Sequence, residues 1–210
     1  MRLAALAWLA ILGVFILAPS APAQVQAPAP PSPTTPPPRS TSPLKEPGLP
    51  PARTNAWKIR NAMSAAPRAI AKDATIMDWA TKEGGEPMLL RKGSNDWTCL
   101  PDDPKTPGND PMCLDKNALA WAQAWMTKKE PKLTQPGIGY MLQGGSDASN
   151  TDPFATQPAS GEKWMSAPPH LMIFPAGKLD PNVYKTDPHQ GGPWIMWAGT
   201  PYEHLMVPVK

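Results

Sequence analysis

The sequence predicts an α+β fold, a single domain in which an antiparallel sheet is packed by a few short helices, behind a disordered proline-rich leader. Three observations carry this. Helical spacing of apolar residues is confined to short stretches near 57–63 and 115–128. Several short apolar or alternating runs are separated by turn residues and read as strands. These runs do not alternate regularly with helices, as a parallel α/β wind would require.

In chain order, Met1-Arg2, an apolar run over 3–18 and Ala21-Pro22-Ala23 form the charged start, core and small-x-small site of a signal peptide over 1–23. An uncleaved anchor is the competing reading, but the run falls short of the ~20 residues a spanning helix needs. Residues 24–54 form a linker rich in Pro, Ala, Ser and Thr, too poor in apolar bulk to bury a core. The α+β domain is expected over 55–210, a size that supports one hydrophobic core.

Within it, 57–63 reads as a helix with Asn55 as its cap, and Pro67 either stops it or begins a second turn with Ile70 buried. Runs at 74–79, 87–91 and 96–100, parted by Gly84-Gly85 and by Gly93-Ser94-Asn95-Asp96, predict an antiparallel meander. The loop 101–112 is proline-punctuated and irregular. A helix from an Asp115 cap to Lys128 would bury Ala118, Leu119, Ala122, Trp125 and Met126, and Pro131 ends it. Runs at 138–142, 171–174, 194–197 and 205–209 read as four further strands. Trp194 and Trp197, an odd number apart, would face opposite sides of theirs.

The net charge of +3, reduced by the loss of Arg2 with the signal, and the absence of a Lys/Arg run exclude a polyanion-binding footprint. No nucleic acid is expected as a partner, and no membrane once the signal is cleaved. An envelope ligand or protein is the partner class left. Cys99 and Cys113 are an even pair at short separation in an exported chain, which predicts a disulfide.

Two constellations carry candidate chemistry. The first is a polar loop over 143–153 in which Ser146, Asp147, Ser149, Asn150 and Asp152 either build a turn network or offer oxygens to calcium. Its spacing is not that of an EF-hand. The second is a repeated tripeptide, His170-Leu171-Met172 and His204-Leu205-Met206. Residues two apart on a strand share a face, so His170 with Met172 and His204 with Met206 would each present an imidazole beside a thioether. That is a soft ligand set suited to copper, which His189 would complete, although methionine is also an ordinary core residue in a chain with eleven of them. No Gly-x-Ser-x-Gly elbow, His-Glu-x-x-His pair or phosphate loop is present, so no catalytic residue is assigned and an enzyme is disfavoured.

The runs Asn95-Asp96-Trp97-Thr98-Cys99-Leu100-Pro101-Asp102, Pro107-Gly108-Asn109-Asp110-Pro111-Met112-Cys113-Leu114-Asp115 and the stretch from Tyr140 to Pro153 resemble those of a family of exported bacterial proteins. The likeness extends through Met196-Trp197-Ala198-Gly199-Thr200-Pro201-Tyr202, and so covers most of the domain. It implies a periplasmic or secreted location and brings no activity, cofactor or catalytic residue. The expectation is therefore an exported, non-catalytic binding or accessory protein of the cell envelope. The alternatives are a periplasmic copper or calcium protein and an envelope hydrolase.

Overall fold

An eight-stranded sheet organises the described residues, its strands lying side by side in the order Met88–Arg91, Thr75–Asp78, Thr98–Leu100, Met112–Leu114, Gly137–Met141, His170–Phe174, His204–Pro208 and Trp194–Met196. The computed structural model describes residues 54–209 except 83 and 84. The expected signal peptide (1–23) and all of the expected linker but Thr54 lie outside the described residues. Among those described, no helix is long and apolar enough to cross a membrane.

Helix α1 (Asn55–Met63) starts two residues earlier than its spacing suggests, because Thr54, not Asn55, is the cap: its Oγ1 accepts from Trp57 N at 3.2 Å. The short α2 (Arg68–Ala71) follows Pro67. Small side chains, Ala62, Ala65, Ala66, Ala71 and Ala74, let this helical layer lie close on Ile76, Cys99 and Cys113.

Strands β1 (Thr75–Asp78), β2 (Met88–Arg91) and β3 (Thr98–Leu100) do not form the expected meander. β2 is an edge strand antiparallel to β1, whereas β3 lies on the other side of β1 and runs parallel to it. The return from β2 crosses the start of β1, where Asp73 O accepts from Ser94 N and Asn95 N. Gly93 permits the crossing, since a β-carbon there would stand 2.3 Å from Thr75 N. Arg91 locks it by donating to the carbonyls of Ala71 and Ala74.

The disulfide between Cys99 and Cys113 joins directly opposed residues of β3 and β4 (Met112–Leu114). Both cysteines are fully buried beneath α1. Helix α3 (Lys116–Met126) covers the opposite face of the sheet. Asp115 caps it through Ala118 N at 2.7 Å and also accepts from Ile138 N at 2.8 Å, which fastens the helix start to β5 (Gly137–Met141). The helix buries Ala118, Trp121 and Ala122, while Met126, expected in the core, is 42% exposed.

The remaining strands are β6 (Gly145–Asp147), β7 (Met165–Ala167), β8 (His170–Phe174), β9 (Trp194–Met196) and β10 (His204–Pro208). β6 and β7 form a separate two-stranded ribbon. Residues alternate between faces: Ile76, Cys99, Cys113 and Tyr140 pack toward α1, and Leu100, Leu114, Met141, Met172 and Met206 toward α3. Trp194 and Trp197 both join the α3 core, contrary to the odd-spacing expectation. Trp197 lies beyond the strand with φ of +54°, so strand alternation does not apply to it.

Candidate functional site

Between α3 and the sheet face of β4, β5, β8, β10 and β9 lies a cavity of about 150 Å³. Its floor follows from the register. Met172 stands opposite Met206, Met141 opposite His170, and Met196 opposite His204. Period-two alternation then sends all of these side chains to one face. Trp121, Ala122 and Trp125 form the roof. One wall is the β6–β7 ribbon, and another is the loop carrying Asp103, Thr106 and Asp110. That loop is held at both ends by the disulfide-linked strands.

The structure thus brings His170, Met172, His204 and Met206 into one cavity. It does not bring His189, which is exposed on a loop and bonded through its backbone to Asp187. His170 pairs with Pro208 and so stands four positions from His204 along the ladder, about 13 Å at the usual strand rise. The Met172–Met206 pair sits midway between them.

The tautomers of the two imidazoles are set by their backbone partners. His170 Nδ1 lies 2.7 Å from Pro168 O and His204 Nδ1 lies 3.0 Å from Tyr202 O. A carbonyl only accepts, so each Nδ1 carries the proton and each Nε2 presents a lone pair. His170 is 1% exposed, and its Nε2 has no hydrogen-bond partner. It is the one such buried side-chain atom among the described residues. The His204 ring is boxed by Trp121, Phe174 and Trp197 at centroid distances of 5.1 to 5.2 Å.

Burial holds both imidazoles neutral. It pushes His204 down to about 4, with repulsion from His170 adding to the effect, and it lowers His170 as well. Unfolded histidines take up protons near 6.5, so stability is complete above that pH and falls as pH drops toward 4. Over that window His204 alone contributes a loss of about 3 kcal/mol. Asp147, on the cavity wall, acts in the opposite sense: burial first, then repulsion from Asp110, raises its carboxyl to about 6. A raised carboxyl destabilises the fold progressively as pH rises from the unfolded value of 3.8 to about 6, and fully above it. Asp147→Asn retains an oxygen for Ser149 N. It is therefore expected to raise the melting temperature at pH 7 and to steepen the fall between pH 7 and 4.5. Calorimetry across that range checks both signs, and a flat profile for Asp147→Asn, in which the opposing carboxyl is gone, would contradict the histidine account.

The polar loop takes the form of a turn network. Asp147 Oδ1 accepts from Ser149 N, Ser149 Oγ from Thr151 N and Asp152 N, and Asp152 Oδ1 from Phe154 N. Ser146 Oγ accepts from Gly108 N and donates to Asp110. The rest of the loop grips the tryptophans around the cavity: Trp197 N and Nε1 donate to the carbonyls of Asn150 and Ser149, and Trp194 Nε1 donates to Asn150 Oδ1. These bonds hold Trp197 in its left-handed backbone conformation. Among the described residues, no three His, Cys, Asp or Glu side chains gather as a metal cluster.

A larger cleft of about 380 Å³ opens between segments 130–133, 175–178 and 199–203. Its buried acid, Glu203, spends both oxygens on the backbone N–H groups of Leu179 and Gly199, which makes it a turn organiser. The smaller cavity has the unspent chemistry. Its methionine and tryptophan lining was not anticipated as a set, because Met112, Met141, Met165 and Met196 come from strands whose pairing the sequence leaves open. Scans against protein-family models, curated proteins and solved structures each give no match to this chain, so the site is read from its own geometry.

Proposed function

We propose that this is an exported, non-catalytic binding protein of the cell envelope and that the cavity under α3 is its ligand site. One observation carries the reading: an imidazole whose Nε2 is buried without a partner, belonging to a residue that lines a cavity rich in thioethers and indoles. A buried polar atom without a partner costs on the order of 1–3 kcal/mol, and a ligand that accepts its lone pair recovers that. The ligand must fit about 150 Å³ and offer either a hydrogen-bond donor or a metal ion to His170. The signal-like first 23 residues and the buried disulfide support the exported location.

Phenol and Ag(I) test the site as probes of those two chemistries. Ala122 lines the roof, and Ala122→Leu would add three carbons to the space while leaving His170 and the sheet residues unchanged in identity. At least one probe is expected to raise the melting temperature of the native protein, and neither that of Ala122→Leu. Equal shifts in both proteins, or none in either, would overturn the reading.

A further inference from the structure

Resting on the reading of the cavity as a ligand site, we propose that its ligand is a soft monovalent metal ion, Cu(I), held by His170 Nε2 and the thioethers of Met172 and Met206. His170, which lines the cavity, supplies the anchor: its Nδ1–H is committed to Pro168 O at 2.7 Å, which fixes the tautomer and leaves a buried Nε2 lone pair without a partner. Donation of the second ring nitrogen to a backbone carbonyl is the usual outer support of a metal-bound histidine. Met172 and Met206 are opposed on β8 and β10, on the same face as His170 and two positions along the strand from it. Met141, paired with His170 across β5, brings a further thioether to the same wall.

Neutral imidazole and thioether ligands select copper in its lower oxidation state over zinc, calcium or magnesium, which prefer harder or anionic donors. A single positive charge is also cheaper to bury than a double one. The carboxylates of Asp110 and Asp147 on the cavity wall offset that charge. His204 serves as part of the aromatic box beside Trp121, Phe174 and Trp197, which keeps water from the ion.

The test is anaerobic competition for Cu(I) against a chromophoric chelator, using the full exported chain, with Zn(II) as a control and phenol as a reporter of the cavity. One equivalent of Cu(I) is expected, with Zn(II) held far more weakly. In the Met172→Leu/Met206→Leu variant, volume and apolarity are nearly kept, so the fold and phenol binding should persist. Removing outer support from a metal ligand costs 10- to 100-fold in affinity, so loss of two ligands should cost at least about tenfold. His170→Gln should do the same. Unchanged Cu(I) affinity in the double methionine variant overturns the inference, as does phenol binding without Cu(I) binding, which leaves the cavity reading intact. Failure of both probes overturns the two together.

Discussion

Trp121→Ala is expected to destabilise the domain by about 3–5 kcal/mol, the range for removing a large aromatic side chain from a core. Trp121 is 5% exposed on the sheet-facing side of α3. Its ring meets Phe174 at 4.4 Å, stacks on Trp125 and Trp197, and receives Tyr202 and His204 on edge or near edge. Apart from Trp125 on α3 itself, those partners come from β8, β10 and the turn between β9 and β10, so one truncation loosens the helix from the sheet in several places. The void would also merge with the adjoining cavity, which prevents the collapse that sometimes softens such losses. Denaturant unfolding followed by far-UV circular dichroism measures the effect, with Trp121→Phe expected to fall between the two. A loss under 1 kcal/mol would show that α3 is held by something other than this aromatic cluster.

Removal of the disulfide in Cys99→Ala/Cys113→Ala should cost about 3 kcal/mol, since it closes a short loop in the unfolded chain. The same change should weaken the cavity. The loop between β3 and β4 contributes Asp103, Thr106 and Asp110 to its wall, and Asp110 is fixed by Asp103 N and Thr106 Oγ1. Both sulfurs are shielded completely by α1 and the sheet. Reductant should therefore act on the folded protein only as fast as it opens, and rapid reduction under native conditions would contradict the buried placement. Thiol trapping and mass measurement over a time course give that rate.

Much of this architecture is legible along the chain. Asp115 and the apolar stripe after it mark α3, Thr54 stands one residue from the cap expected for α1, and the runs after residue 137 match β5, β8, β9 and β10 to within a residue or two. The two His-Leu-Met tripeptides predict their own shared face, because strand periodicity is exact enough to place residues two apart. What was not legible depends on pairing between distant segments. β1 and β3 pair in parallel because the chain folds back over β1 at Gly93, and no local pattern signals which neighbour a short strand will choose. β4, β6 and β7 are three residues each, too short for alternation to show. The polar loop offered calcium-type oxygens in the sequence, yet the fold spends them on turns and on anchoring Trp194 and Trp197. That anchoring appears only once Asn150 is seen beside residues more than forty positions away.

The central claim is that His170 faces a ligand cavity with a free Nε2, and long-range nitrogen NMR of the imidazoles tests it directly. At pH 7 the account predicts a neutral His170 ring protonated at Nδ1, whose Nε2 resonance moves on saturation with Cu(I) or phenol while exposed His189 stays unmoved. A His170 ring protonated at Nε2, or a saturating probe that shifts His189 and leaves His170 unchanged, would contradict it.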